Sequence, residues 1–256
     1  MKSDDSFWKL VDTVRKLRSP DGCPWDLEQT HASMKPYLLE ETYEVLETLD
    51  GDDEEHLAEE LGDLLLQIVF HAQIAEENGR FSMADVLDAI NTKLVRRHPH
   101  VFGGAAGRTS RDQLAHWEKS KKEEGKTSIL DGVPKTCPAL LRAYRVQQKA
   151  AAAGFDWERT EQVWEKVQEE VDEFGEALRQ HDARNIEDEF GDLLFALVNL
   201  SRFIRINPED AARRAVDKFI RRFQKLERVF QEQGRELHRS SLEEMDAVWN
   251  RIKHDP

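Results

Sequence analysis

Cysteine is almost missing from this sequence. Cys23 and Cys137 are the only two among 256 residues, each stands directly before a proline, and neither belongs to a Cys-x-x-Cys pair. That argues against a disulfide framework and against a zinc site. Long apolar runs are missing too: none approaches the ~18–20 residues that a membrane helix needs. The stretch Met1–Leu10 is too acidic and polar for a secretory signal. A soluble, cytoplasmic protein with no membrane partner is expected. Positive charge is in the minority, with 37 Lys+Arg against 51 Asp+Glu and a net charge of −14; the mean hydropathy is −0.69. Stable nucleic-acid binding needs a basic face that displaces counterions, so it is not expected, whereas a phosphorylated substrate accompanied by a metal ion stays compatible.

Only 13 Gly and 8 Pro interrupt the chain, and between them apolar residues recur every three or four positions. In 60–76, Leu61, Leu64, Leu65, Ile68, Val69 and Ala72 form one stripe. No alternating strand pattern of useful length occurs, so the fold class is all-α. The periodicity predicts helices over 6–18, 34–49, 54–77, 82–97, 110–124, 138–153, 160–179, 184–206, 208–233 and 241–253. The second half also repeats the first. Leu39-Glu40-Glu41-Thr42-Tyr43-Glu44 corresponds to Gln168-Glu169-Glu170-Val171-Asp172-Glu173, and Glu60-Leu61-Gly62-Asp63 to Glu189-Phe190-Gly191-Asp192, both at an offset of 129. Trp25 and Trp157, like Trp117 and Trp249, stand 132 apart. The chain therefore reads as tandem helical-bundle modules, 1–124 and 138–256, joined by a linker over 125–137.

Each module carries Glu-Glu-x-x-Glu followed by Glu-x-x-Asp. Positions three or four apart share a helix face, so Glu41 and Glu44 project together, as do Glu60 and Asp63 on the next helix. About one residue in five is acidic, so five acidic positions at fixed spacing are expected fewer than ~0.1 times by chance in a chain of this length. Ionised carboxylates gathered beside apolar neighbours repel one another and resist desolvation, so they call for a cation. All-oxygen ligation suits Mg²⁺, with Mn²⁺ a second possibility.

This arrangement resembles the all-α nucleoside triphosphate pyrophosphohydrolases, in the two-module bacterial form of the MazG family. The resemblance runs over nearly the whole chain and includes Gly22-Cys23-Pro24-Trp25-Asp26, Arg96-Arg97-His98-Pro99-His100-Val101-Phe102 and Gly154-Phe155-Asp156-Trp157. It implies a Mg²⁺-dependent hydrolysis of an NTP or dNTP to the monophosphate and pyrophosphate, in a helical homodimer. It assigns Glu170, Glu173, Glu189 and Asp192 to the metal, with Glu41, Glu44, Glu60 and Asp63 as their first-module counterparts. Glu169 and Glu40 would orient or deprotonate the attacking water, or tune the cluster from outside it. Nucleotide binding falls to Lys166, Lys218, Arg222 and Trp249. One departure from the family pattern is Asn185, where a Lys is common; Arg184 stands beside it.

On residue chemistry alone, Lys218 and Arg222 also suit a basic face balancing nearby Glu, and Trp249 also suits a core anchor for the last helix. His98-Pro99-His100 lacks a third ligand, and Gly125-Lys126-Thr127 lacks the upstream glycine and strand of a phosphate loop. Asp in place of His at the end of both Glu-x-x-Asp elements argues against di-iron chemistry. A module of four or five helices has more apolar stripe than its own core covers, which independently favours a homodimer. The second module is expected to be the main active unit: Lys166 has Tyr37 as its counterpart at 129, and Pro99 cuts short the helix bearing Lys93 and Arg97. The contrasting reading is a non-catalytic helical nucleotide-binding, adaptor or regulatory protein.

Overall fold

The computed structural model describes residues 4–49, 51, 54–103 and 128–254. Among them there are eleven α-helices, one 3₁₀ turn and no strand; the all-α class is as the periodicity predicts, and the short helices at 24–28 and 99–102 are additional to it. No helix of the described residues is long and apolar enough to cross a membrane. The expected helix over 110–124, with Trp117, lies outside the described residues, as do Gly125-Lys126-Thr127. The chain divides into two compact units, residues 1–107 and 108–256.

The first unit holds α1 (Asp4–Leu17), α2 (Pro24–Glu28), α3 (Lys35–Leu49), α4 (Glu54–Glu77), α5 (Met83–Arg97) and α6 (Pro99–Phe102). Helix α4 is the hub, packing against α1, α3 and α5. Its Val69, Phe70, Ala72 and Ile74 form the core with Val11, Val14, Met34 and Met83. Ser82 starts α5 with a capping box: its backbone N–H donates to Asp85 Oδ2 at 2.8 Å and its Oγ accepts from the Asp85 N–H at 3.4 Å. Such a cap contributes about 1 kcal/mol. Helix α5 ends at Arg97, as expected from Pro99, which disfavours helical geometry in the residue before it.

The second unit holds α7 (Ala139–Ala152), α8 (Thr160–Gln180), α9 (Ala183–Phe203), α10 (Pro208–Glu232), a 3₁₀ turn (Leu237–Arg239) and α11 (Leu242–His254). Helices α8 and α9 form a hairpin through His181, which is left-handed (φ 56°), and Asp182, whose Oδ1 accepts from the N–H groups of Arg184 and Asn185. Helix α7 packs on both α9 and α10, and α11 packs on α10, where Leu226, Phe230, Val248 and Ile252 are buried together. Helix α9 stops three residues before its expected end, because Arg205 turns left-handed (φ 59°) ahead of the Asn207 cap of α10.

Each unit enters its carboxylate hairpin through a glycine turn. At Gly22 a Cβ would lie 2.2 Å from the Leu17 carbonyl oxygen, and Gly154 has φ +93°. A side chain is sterically excluded at the first and strained at the second.

Candidate active site

In the second unit, α8 carries Lys166, Glu169, Glu170 and Glu173 on successive turns, and α9 presents Glu189 and Asp192. Carboxylate oxygens of Glu170, Glu173 and Glu189 lie within 4.8 Å of one another. Glu170 is buried (6% exposed). Burial pushes the Glu189 carboxyl above the ordinary range, helped by the charges of Glu173, Asp192, Glu170 and Asp188. Lys166 reaches into these carboxylates, its Nζ 2.8 Å from both Glu169 Oε1 and Glu170 Oε1. Those two acceptors raise its ammonium pKa further above the usual lysine value.

The first unit gathers a related set in which Asp63, the counterpart of Asp192, stands in place of Glu44, the counterpart of Glu173. Oxygens of Glu41, Glu60 and Asp63 also come within 4.8 Å. Burial raises the Glu41 carboxyl first, then the charges of Asp63 and Glu44 and a hydrogen bond with Glu44. Here His56 Nε2 is 2.8 Å from Glu60 Oε1, a neighbour that sequence reasoning missed; Asn185 holds the equivalent position in the second unit. Tyr37, the counterpart of Lys166, packs edge-on against Trp25 at 5.9 Å.

Both clusters have the donor set of a hard divalent cation: carboxylate oxygens in mutual reach, with burial and then charge crowding raising a pKa in each. Since the folded pKa is raised, the metal-free protein takes up protons here more readily than the unfolded chain. The resulting destabilisation is full at neutral pH and is relieved as pH falls toward the ordinary carboxylate range. A cation must displace those protons, so its stabilising effect shrinks in acid. We expect saturating Mg²⁺ to raise the melting temperature by about 5–10 °C near pH 8 and far less near pH 5. Thermal scans at the two pH values check it, and a pH-independent shift would contradict the sign.

Beside the second cluster lies a cleft of about 620 Å³ that shares Lys166, Glu170 and Asp192 with it. Its apolar walls include Leu130, Val146, Phe155, Trp157 and Phe195, and its polar groups include Gln147, Asn199, Asp156 and Arg202. Arg202 pairs with Asp156, and the Gln147 Nε2 donates to the Phe195 carbonyl at 2.8 Å. The cleft was not anticipated from sequence, although Gly154-Phe155-Asp156-Trp157 was a signal for it. Lys218, Arg222 and Trp249 do not line it. Lys218 is exposed and Arg222 half-buried on α10, while Trp249 on α11 packs at a tilt against Phe219 of α10, ring centres 5.3 Å apart.

The model of the MazG nucleotide pyrophosphohydrolase domain matches this chain twice, over residues 29–102 and 158–226. The chain belongs to the MazG family. It is 47% identical over 249 residues to the nucleoside triphosphate pyrophosphohydrolase/pyrophosphatase MazG of Thermotoga maritima, covering 96% of this chain and 95% of that protein. It is 46% identical to the nucleoside triphosphate pyrophosphohydrolase of Escherichia coli, covering 96% of both. Bacillus subtilis YabN is 51% identical over 247 residues, which make up half of its length. The two matched segments each contain one complete carboxylate cluster, so the repeat read from the sequence is a repeat of the MazG domain.

Proposed function

We propose that this MazG protein hydrolyses nucleoside or deoxynucleoside triphosphates to the monophosphate and pyrophosphate, with the second unit as the main active one. What carries the reading is the junction of the second carboxylate cluster with a cleft large enough for a nucleoside, sharing Lys166, Glu170 and Asp192. Mg²⁺ would be held by Glu170, Glu173, Glu189 and Asp192, where it supplies charge neutralisation of the triphosphate and acidification of water. Glu41, Glu44, Glu60 and Asp63 would hold a second ion in the first unit, and 125–137 would serve as the linker.

The chain's own groups divide the remaining tasks. Trp157 and Phe195 offer aromatic faces to the base and sugar, and the apolar walls keep water from that end of the cleft. Lys166 neutralises a phosphate oxygen by exchanging one of its two carboxylate partners for substrate. Glu169, exposed at the cluster's edge, accepts the proton of the attacking water. As the new oxygen–phosphorus bond forms at the α-phosphorus, the α–β anhydride bond breaks and its electron pair leaves with pyrophosphate. Lys218, Arg222 and Trp249, which stand outside this cleft on α10 and α11, would meet only those parts of the nucleotide that extend beyond it. Incubating each NTP and dNTP with Mg²⁺, and following monophosphate and pyrophosphate, tests the reading. Orthophosphate as the first product, or nucleotide binding without turnover, would refute it.

We also propose that the protein is a homodimer. Helices α8, α9 and α10 leave Val171, Leu178, Phe190, Leu197, Val216 and Ile220 more than a third exposed, and a two-fold partner would cover such faces. Sedimentation at micromolar concentration should give one species of twice the 29.7 kDa chain mass; a monodisperse monomer would overturn this.

A further inference from the structure

The open cleft of the second unit and the same positions of the first unit differ in a way that assigns a role to Arg18. Along α9, Ala196, Asn199 and Arg202 line the cleft. At the repeat offset of 129 their counterparts on α4 are Gln67, Phe70 and Gln73, and all three are buried, at 5%, 3% and 7% exposure. Over this wall lies the Arg18 guanidinium, itself 6% exposed, with its central carbon 5.0 Å from the centre of the Phe70 ring. Its edges are bonded all round. Nε donates to Glu77 Oε1 at 3.0 Å, Nη2 donates to Glu77 Oε2 at 2.7 Å, and Nη1 donates to the carbonyls of Asp26 and Gln29.

A planar group stacked on an aromatic ring and hydrogen-bonded at its rim is also how a protein holds a nucleobase. The filled wall reaches the first carboxylate cluster, since Gln67 Nε2 points at Glu41 Oε1 from 3.5 Å, just as the open cleft shares Glu170 and Asp192 with the second. In the second unit a bare methyl group, that of Ala196, stands where Gln67 does, and the shorter, polar Asn199 replaces Phe70.

We infer that the first unit closes its own nucleoside cleft with Arg18, stacked on Phe70 and clamped by Glu77, so that its carboxylates hold a cation without seating a nucleoside. The inference rests on the second-unit cleft being the nucleoside seat. The test is equilibrium dialysis of the full chain with Mn²⁺ and α,β-methylene-ATP, which is not cleaved between its α and β phosphates. The wild type should bind one nucleotide per chain. Carrying the first-unit wall into the second, as Ala196→Gln with Asn199→Phe, should weaken nucleotide binding at least tenfold while Mn²⁺ binding followed by electron paramagnetic resonance is kept. Tight nucleotide binding by that double variant would overturn the inference, and so would two equivalents on the wild type. If the double variant loses Mn²⁺ as well, Arg18→Ala with Tyr37→Lys decides: a second equivalent supports the closure and a single one overturns it. A wild type that binds none fails the underlying reading and the inference with it.

Discussion

Glu173→Gln and Asp192→Asn are each expected to lower pyrophosphate release by more than about 100-fold while leaving the helical signal in circular dichroism unchanged. The magnitude follows from the role proposed for both groups as metal ligands, Glu173 within the cluster and Asp192 beside Glu189. Removing a hydrogen-bond partner that merely orients a metal ligand already costs about 10–100-fold, and removing the ligand itself should cost more. The helices should survive because Glu173 and Asp192 lie toward solvent, so a neutral amide there strands no buried charge. Indeed the charge crowding that adds to burial in raising the Glu189 carboxyl is lessened when either neighbour loses its charge, which predicts equal or greater stability for the metal-free variants. Near-normal turnover by either variant, or full activity of the wild type in excess chelator, would remove the metal from the reaction.

The parts of this molecule that sequence made legible are those with short-range causes. Glu170 and Glu173 share a face because three residues make most of one helical turn, and Glu189 and Asp192 do so for the same reason; only the hairpin between them had to be supplied, and the repeat pointed to it. The starts of α4, α8 and α10 follow from turn residues and apolar period alone. What was not legible depends on long-range packing. The cleft draws on α7, the turn at Gly154–Trp157 and α9, and its Asp156–Arg202 pair joins residues 46 apart in sequence. Arg18 and Glu77 are 59 apart, and nothing near either residue announces the other. The one-turn helices α2 and α6 escaped for a different reason: each begins with proline at its first position, and four or five residues show no period.

The largest contrast between equivalent positions should come from comparing Glu44→Gln with Glu173→Gln under one substrate screen. Glu44→Gln is expected to keep turnover within about threefold of wild type, and Glu173→Gln to abolish it. The number of clustered carboxylates does not create this difference, because each unit brings three within 4.8 Å, although Glu173 is one of its three and Glu44 is not. The surrounding cations do. Lys166 stands 2.8 Å from Glu170 with an ammonium that stays charged throughout the working pH range. Its counterpart Tyr37 brings no positive charge to a triphosphate, and the first unit sets His56 against Glu60 instead. The helix proposed to contact phosphate differs as well. Helix α10 continues ten residues beyond Arg222 to Glu232, whereas α5 ends at Arg97 itself. A cation in mid-helix is held in place before substrate arrives, and phosphoryl transfer depends on that preorganisation. Retained activity in Glu44→Gln would leave the first unit a structural or regulatory part; equal losses in the two variants, or a larger loss from Glu44→Gln, would reverse the assignment of the active unit.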